Sequence, residues 1–344
     1  MVSTYTAISM DCPTLERIVL DITTSVIILN YRSLGYVADC INSIDQHPPK
    51  DSYEIIVVDN DSQDGKFDDF CNKYNHVKCI KNSGNYGYSS GSNLGAKIAR
   101  GKYLIFLNPD TELTESPAID TMVEYARTNQ NTGIISCRKI KPGNKLEREV
   151  TFINPWLTLG IVRALYKKIF KNIIEEKFPE NADIWHPEWL TGSIFFIASD
   201  TYSQIEGLSE KDYWMYFEEM DLAHKINQIN KNITLIRNVE IKHQHGGSSR
   251  INPKTSAITK SEVMISRHVY IQKFYSGINR ILLHISMLTI SLSSKLIIAL
   301  VSLPFAWTNK GRASLLLLNT SIQYYFHAFI DKSWKSRRLK RGQP

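Results

Sequence analysis

The chain has 344 residues, 43% of them hydrophobic and 22% charged, with 41 Lys/Arg against 34 Asp/Glu and a formal charge of +7. That composition is too apolar for a disordered chain and long enough for one large or two modest domains. Residues 331–344 hold six Lys/Arg and one Asp, which leaves only +2 on the other 330 residues. A basic body that tracks a nucleic-acid backbone is therefore disfavoured, and no nucleic-acid partner is expected.

Cys12, Cys40, Cys71, Cys79 and Cys137 are odd in number and form no C-x-x-C pair, which argues against a disulfide framework or zinc ribbon and for a reducing cytoplasm. Residues 1–22 lack a basic stretch followed by an apolar core and read as a short extension, not a secretory signal. The run TSVIILN (24–30) predicts a buried strand, and Leu34, Val37, Ala38, Ile41 and Ile44 share one helix face before Pro48-Pro49. Strands at 53–59, 76–80 and 102–108 alternate with helices after the Asp61–Gly65 loop and over 86–100. Such βαβ spacing predicts an α/β fold whose ligand sites lie at the carboxyl ends of parallel strands. Further on, strands are expected at 133–140, 189–198 and 232–238, a basic helical segment at 158–176, a helix at 216–230 and a glycine-rich loop at 241–249.

The loops after these strands carry the candidate chemistry. Asp59 at a strand end can accept hydrogen bonds from a ribose or base, although the same residues also make an Asx turn or helix cap. Small residues between Asn82 and Gly95 let backbone approach a ligand, and a helix N-terminus favours phosphate. No G-x-G-x-x-G follows the first strand and no P-loop signature occurs. Pro109 in N-P-D rigidifies a turn that carries Asp110, and one fixed carboxylate suits a hard cation otherwise held by water and phosphate. Glu218, Glu219 and Asp221 fall in one helical turn, where they serve either as a solvated N-terminal cluster or as a general base tuned by burial. His243 and His245 stand in or beside the glycine-rich loop.

Taken in order, V26–Y31, I55–S62, the N82…G95 stretch, A99–T111, W189–S193, Y216–L222 and H243…S249 resemble glycosyltransferase family 2, in particular its rhamnosyltransferase-like branch. The resemblance implies a GT-A fold: a doubly wound, mostly parallel sheet with helices on both faces, here followed by C-terminal apolar helices. It implies a nucleotide-diphospho-sugar donor bound by Asn30, Asp59, Asn60, Asn85, Gly87, Asn93 and Asn108, with Mg²⁺ or Mn²⁺ at Asp110 and His243. Trp189, Gly192 and Glu218 fall on the acceptor or sugar side. Glu219 stands where the family has an Asp, which leaves the base open among Glu219, Glu218 and Asp221. A single displacement by a deprotonated acceptor hydroxyl inverts the anomeric carbon. The alternatives are a non-catalytic sugar-nucleotide-binding or scaffold protein of the same fold and a sugar-nucleotide pyrophosphorylase, whose glycine-rich first loop is replaced here by N30-Y31-R32-S33.

Residues 278–307 are strongly apolar but interrupted by Arg280, His284 and Lys295, and the longest charge-free run before Lys295 covers 281–294. A bilayer spans about 20 apolar residues, so helices lying in the interface are favoured over a span. The expected organisation is an extension (1–22), a GT-A domain (23–255), a membrane-associating helical region (256–330) and a basic tail (331–344) attracted to anionic lipid. That places the protein on the cytoplasmic face of the cell membrane with a lipid-linked saccharide as acceptor, and leaves oligomerisation open.

Overall fold

The computed structural model describes residues 21–147, 149–244 and 252–341. Most of the expected N-terminal extension, the His245–Ser249 part of the glycine-rich loop and the last three residues of the tail lie outside them. In chain order, β1 (Thr24–Asn30), α1 (Leu34–Gln46), β2 (Tyr53–Asp59), α2 (Phe67–Lys73), β3 (Lys78–Lys81), α3 (Tyr88–Ile98) and β4 (Tyr103–Leu107) keep the predicted alternation. There follow β5 (Thr111–Glu112), α4 (Ala118–Thr128), β6 (Thr132–Lys141), β7 (Lys145–Leu146), α5 (Gly160–Ile169), α6 (Lys171–Lys177) and β8 (Ile184–Trp185). β9 (Ile194–Ala198), α7 (Ser199–Gln204), α8 (Glu218–Gln228) and β10 (Asn232–His243) complete the sheet region. The C-terminal part comprises α9 (Pro253–Phe274), α10 (Gly277–Ser302), α11 (Asn309–Ile330) and α12 (Arg338–Arg341).

The sheet runs β3-β2-β1-β4-β9-β6-β10-β5. β3, β2, β1 and β4 are mutually parallel, β9 is antiparallel to both its neighbours, and β6 and β10 are again parallel to each other. Among the long strands only β9 is reversed, so the sheet is mostly parallel. Alternation along β1 sends Val26 and Ile28 to a core shared with Val37, Ile41 and Ile44 of α1, and Ile27 to a second core with Leu222, Ala223 and Ile226 of α8. Helices therefore cover both faces, as expected for the GT-A type.

Gly91 and Gly95 let α3 sit directly on β1. A Cβ on Gly95 would stand 2.5 Å from Ile27 Cγ2, and one on Gly91 would strike Leu29 Cδ1. Gly91 and Gly95 thus serve helix–sheet packing.

Several boundaries differ from expectation. β9 starts at Ile194, because residues 189–193 form a turn against α8 instead of strand. β10 extends through His243, which fixes that imidazole at a strand end. The basic segment is two helices that meet at Phe170. Lys295 does not interrupt α10; its Nζ packs 3.2 Å from Met264 Sδ, and the helix runs unbroken from Gly277 to Ser302. Gly277–Phe305 is long and apolar enough to cross a membrane by length and composition, and only 17% of its most apolar window is buried.

α9 joins the C-terminal helices to the sheet region, since Val269 and Tyr270 pack on Tyr213, Phe217 and Met220. The basic tail folds back as well. Lys335 Nζ pairs with Asp212 at 2.7 Å, and Arg338 Nε and Ser336 Oγ meet the buried Glu262 carboxylate at 3.1 and 2.9 Å. Within 331–341 part of the basic charge is therefore built into the fold, not left as a solvated arm.

Gly95→Ala is expected to cost about 1–3 kcal/mol in urea unfolding, because neither Ile27 nor the sheet behind it can yield. Gly35→Ala, at a position with open space for a Cβ, is expected to leave stability unchanged or slightly raised.

Candidate functional site

The site lies at the carboxyl ends of β1, β2 and β4. Asn30 ends β1 opposite Asp59 at the end of β2, and its Nδ2 donates to Asp59 Oδ1 at 2.5 Å and to Ser62 Oγ at 3.1 Å. The Ser62 hydroxyl and backbone N–H both donate to the same carboxylate. Asp59 is thus held rigidly at the strand end. Asn60 Nδ2 reaches Asn85 Oδ1 (2.9 Å) and the Gly87 carbonyl (3.1 Å), tying the β2 loop to the turn that starts α3. Gly87 has φ +98°, and a Cβ there would collide with the Trp214 carbonyl. That carbonyl accepts the Tyr88 N–H at 2.8 Å, and the Trp214 indole donates to the Asn85 carbonyl at 3.1 Å. Asn30, Asp59, Asn60, Asn85 and Gly87, which the resemblance assigns to the donor side, thus form one connected floor. Asn93 stands apart: its amide binds the Leu208 carbonyl, Glu210, Tyr202 Oη and the Leu208 N–H, so it fastens α3 to the segment after α7.

β4 leads into Asn108, whose N–H donates to the Ser193 carbonyl at 2.9 Å, placing the N-P-D turn beside Thr191-Gly192-Ser193. Asp110 and His243 are brought together by the short β5–β10 pairing. His243 Nε2 lies 3.5 Å from Asp110 Oδ1, and Nδ1 lies 3.1 Å from Glu147 Oε2, with all three side chains almost wholly buried. Burial alone would lower the His243 pKa, yet the two flanking carboxylates raise it to about 9. Burial likewise works against the Glu147 anion, but the His243 hydrogen bond and the Lys139 charge pull its pKa down to about 2. Among the described residues no three His, Cys, Asp or Glu side chains converge to enclose a metal ion. Asp110 offers an oxygen and His243, once Nε2 has given up its proton to solvent, a facing nitrogen, which fits a hard cation that keeps water and phosphate oxygens in its other positions and displaces that proton on binding. A carboxylate on the far nitrogen of the histidine is the usual support for such a ligand.

α8 begins after a strained entry. Tyr216 and Phe217 both have left-handed backbone, φ 71° and 69°, a costly conformation for bulky residues that persists only where packing enforces it. Tyr213 and Phe217 supply that packing against α9, and the result is a carboxylate cluster at the helix N-terminus. The three acids have different surroundings. Asp221 is fully buried, 2.6 Å from Lys273 Nζ and hydrogen-bonded to Ser209 Oγ. Glu218 is buried with Oε2 lacking a hydrogen-bond partner among the described residues; burial and then the Glu219 charge push its pKa well up. Glu219 is half-buried and accepts the Gly192 N–H on Oε1 at 3.1 Å. A Cβ on Gly192 would overlap that carboxylate. Burial raises the Glu219 pKa, while the helix N-terminus, the Gly192 N–H and Lys139 restrain it. Trp189 flanks this turn, its indole donating to the Phe152 carbonyl at 3.1 Å.

Lys139 and Glu147 were not singled out from the sequence. Lys139 is 3% exposed on β6, its Nζ 3.3 Å from Ser136 Oγ and the Thr191 carbonyl, and burial lowers its pKa. The charges of Glu147 and Glu219 both favour its ammonium, so it couples the Asp110–His243 pair electrostatically to the α8 cluster. The only trace in the sequence is a lysine near the end of a strand, between Arg138 and Lys141, followed by the P-G-N turn that returns Glu147.

Residues 25–191 match the family model described as Glycosyl transferase family 2. The low-salt glycan biosynthesis hexosyltransferase Agl10 of Haloferax volcanii is 26% identical over 231 residues, 64% of this chain and 66% of that protein. The poly(ribitol-phosphate) beta-glucosyltransferase of Bacillus spizizenii is 32% identical over 112 residues, 31% of this chain and 18% of that protein. The matches thus span just under two thirds of the first relative and less than a fifth of the second. Among solved structures, GalNAc-T7, crystallised with UDP, GalNAc and Mn²⁺, superimposes with a TM-score of 0.51 at 15% identity over 65% of this chain and 43% of that one, a likeness of fold.

Asp221→Asn is expected to lower unfolding stability by about 1–3 kcal/mol, since it costs Lys273 one of its two carboxylate partners and leaves a buried amide in the place of a paired anion, with Asp212 remaining at 2.9 Å. Glu218→Gln is expected to cost less than Asp221→Asn, about 1 kcal/mol or below, because burial and the Glu219 charge already disfavour the anion that the amide replaces; urea titration of both variants separates the two roles.

Proposed function

We propose, from the premise that this chain belongs through residues 25–191 to glycosyl transferase family 2, that it is an inverting glycosyltransferase. It moves a hexose from a nucleotide-diphospho-sugar to a hydroxyl of a lipid-linked saccharide. The observation that carries this reading is the half-buried Glu219 carboxylate anchored on Gly192, joined through Lys139, Glu147 and His243 to Asp110 at the same end of the sheet.

Asn30, Asp59 and Asn60 hold the nucleoside side of the donor, and the Gly87–Tyr88 turn offers helix N-terminal N–H groups to its phosphates. Asp110 and His243 would hold Mg²⁺ or Mn²⁺, which neutralises the charge that grows on the departing diphosphate. Glu219 fixes Oε1 on the Gly192 N–H and takes the acceptor proton at Oε2 as the hydroxyl attacks the anomeric carbon. Asp221, committed to Lys273, and Glu218, whose anion burial and the Glu219 charge disfavour, serve to shape and polarise the base. Trp189 and Gly192 line the acceptor side. Because attack and departure occur in one displacement, the anomeric configuration inverts. The resemblance to the rhamnosyltransferase-like branch supports rhamnose as the donor sugar. The two glycan-modifying relatives support a cell-surface polysaccharide as the destination. The apolar outer faces of α10 and α11 support residence on the cytoplasmic face of the cell membrane.

Thermal-shift screening of nucleotide sugars with and without Mn²⁺ is expected to single out a stabilising donor, because a ligand that binds only the native state raises its apparent stability. With that donor, Glu219→Gln and Asp110→Asn are each expected to lower kcat by about 10²–10⁴-fold with little change in melting temperature. Full transfer by both variants would remove the assignment. Lys139→Met removes a cation that restrains Glu219, so the acidic limb of kcat/KM is expected to move to higher pH.

A further inference from the structure

From Val263 to Ile330 the chain carries no Asp or Glu, yet Arg267 and Lys295 fall within that stretch. Both lie inside the packing of α9, α10 and α11. Arg267 is only 9% exposed, and its Nε is buried with no hydrogen-bond partner among the described residues. Lys295 Nζ lies 3.2 Å from Met264 Sδ, a thioether that brings no charge to meet it. Met264 and Arg267 are three residues apart on α9 and share a face, so the ammonium and the guanidinium enter the same interhelical space. Their positive charges act against one another there.

The carboxylates on or against α9 are engaged elsewhere. Glu262, five residues before Arg267, stands about 140° away around the helix and meets Ser336 and Arg338. Asp212 and Asp221 pair with Lys273. The rest of the lining is neutral. His268 Nδ1 lies 2.8 Å from His284 Nδ1, and its Nε2 lies 3.0 Å from Tyr325 Oη. Trp334 stacks on both imidazoles, with centroids at 4.5 and 4.4 Å. Burial, then the charges around it, pull the His268 pKa down to about 3, so it supplies no counter-charge and no third cation at neutral pH.

Two neighbouring cations buried without a carboxylate are strongly unfavourable, and one anion shared between them offsets that cost. We propose that Arg267 and Lys295 form a binding site for a phosphate or diphosphate group between α9, α10 and α11. Chemistry selects the ligand. A guanidinium fork takes two oxygens of one phosphate, an ammonium takes another, and two positive charges match a dianion, whereas a carboxylate balances only one. The group arrives either as a free ion or on a lipid headgroup. The inference is independent of the roles given to Asp110 and Glu219.

The test uses the full-length protein in EDTA, so that no metal ion bridges an anion to Asp110. Pyrophosphate at constant ionic strength is expected to raise the wild-type melting temperature by about 2–5 °C, because it binds the native state alone. Arg267→Met and Lys295→Met are each expected to lose that increment. Without pyrophosphate, Arg267→Met is expected to melt at or above the wild-type temperature, since an apolar side chain removes a buried unpaired charge. A second arm compares vesicles containing phosphatidic acid with vesicles containing phosphatidylglycerol at equal surface charge. A site fed by lipid is expected to prefer the phosphomonoester headgroup about tenfold and to lose that preference in both variants. Either arm alone supports the site and identifies its source. Absence of an effect in both arms would overturn the proposal. So would an increment that survives in both variants, or one that disappears instead in Asp110→Asn. An Arg267→Met protein that melts well below wild type would show that the guanidinium is already satisfied within the fold, and would overturn it equally.

Discussion

The contact between Gly87 and Trp214 is the constraint on which the site depends. Two segments more than 120 residues apart in sequence are pressed together until only a glycine fits, and the Tyr88 N–H and the Trp214 indole fasten them in both directions. The first segment starts α3, whose N-terminal N–H groups are the ones proposed to meet the donor phosphates. The second leads through the left-handed Tyr216–Phe217 pair to Glu218 and Glu219. Were the approach looser, the two halves of the reaction would lose their common register, since catalysis needs donor and base held to a fraction of an ångström.

Support for this contact comes from outside the sheet region. The Arg338 guanidinium stands 5.6 Å from the Trp214 ring centroid while its Nε meets Glu262. Asp221 of α8, Lys273 of α9, Asp212 and Lys335 of the tail form a continuous ion network at 2.6–2.9 Å. Networks of this kind are worth more than isolated surface pairs, because each side chain is ordered once and used several times. The strain stored at Tyr216 and Phe217 is thereby balanced by packing and charge contributed by α9 and the tail.

Much of the fold was legible in the sequence because the first half obeys local rules. Short β-branched runs alternate with helical periodicity, and the strand ends carry polar turns. The site was legible as far as residues announce themselves by type: Asp59, Asp110, the Glu218–Asp221 cluster and His243 all occupy the strand ends or the α8 N-terminus. What was not legible is what depends on side chains meeting across sequence. Asn93 reads as one more polar residue in a glycine-rich stretch, yet its amide is spent on Tyr202 and Leu208. Lys139 reads as a surface lysine at a strand end, yet the returning β7 hairpin and the 189–193 turn bury it where the charges of Glu147 and Glu219 act on it. Choosing among the three acids of α8 required knowing that Lys273, on another helix, already holds Asp221.

The same limit applies to charge. The sequence places most of the +7 in the last fourteen residues, which makes the tail the natural candidate for attraction to a membrane. In three dimensions Lys335 and Arg338 face Asp212 and Glu262, and Arg337 pairs with Asp331 at 2.9 Å. A cation already satisfied by a protein carboxylate has less to gain from a lipid headgroup than one beside an exposed apolar stripe, where burial of the stripe and approach of the charge reinforce each other. Overall charge therefore overstates what the tail leaves open to a partner, because part of it is already paired inside the fold.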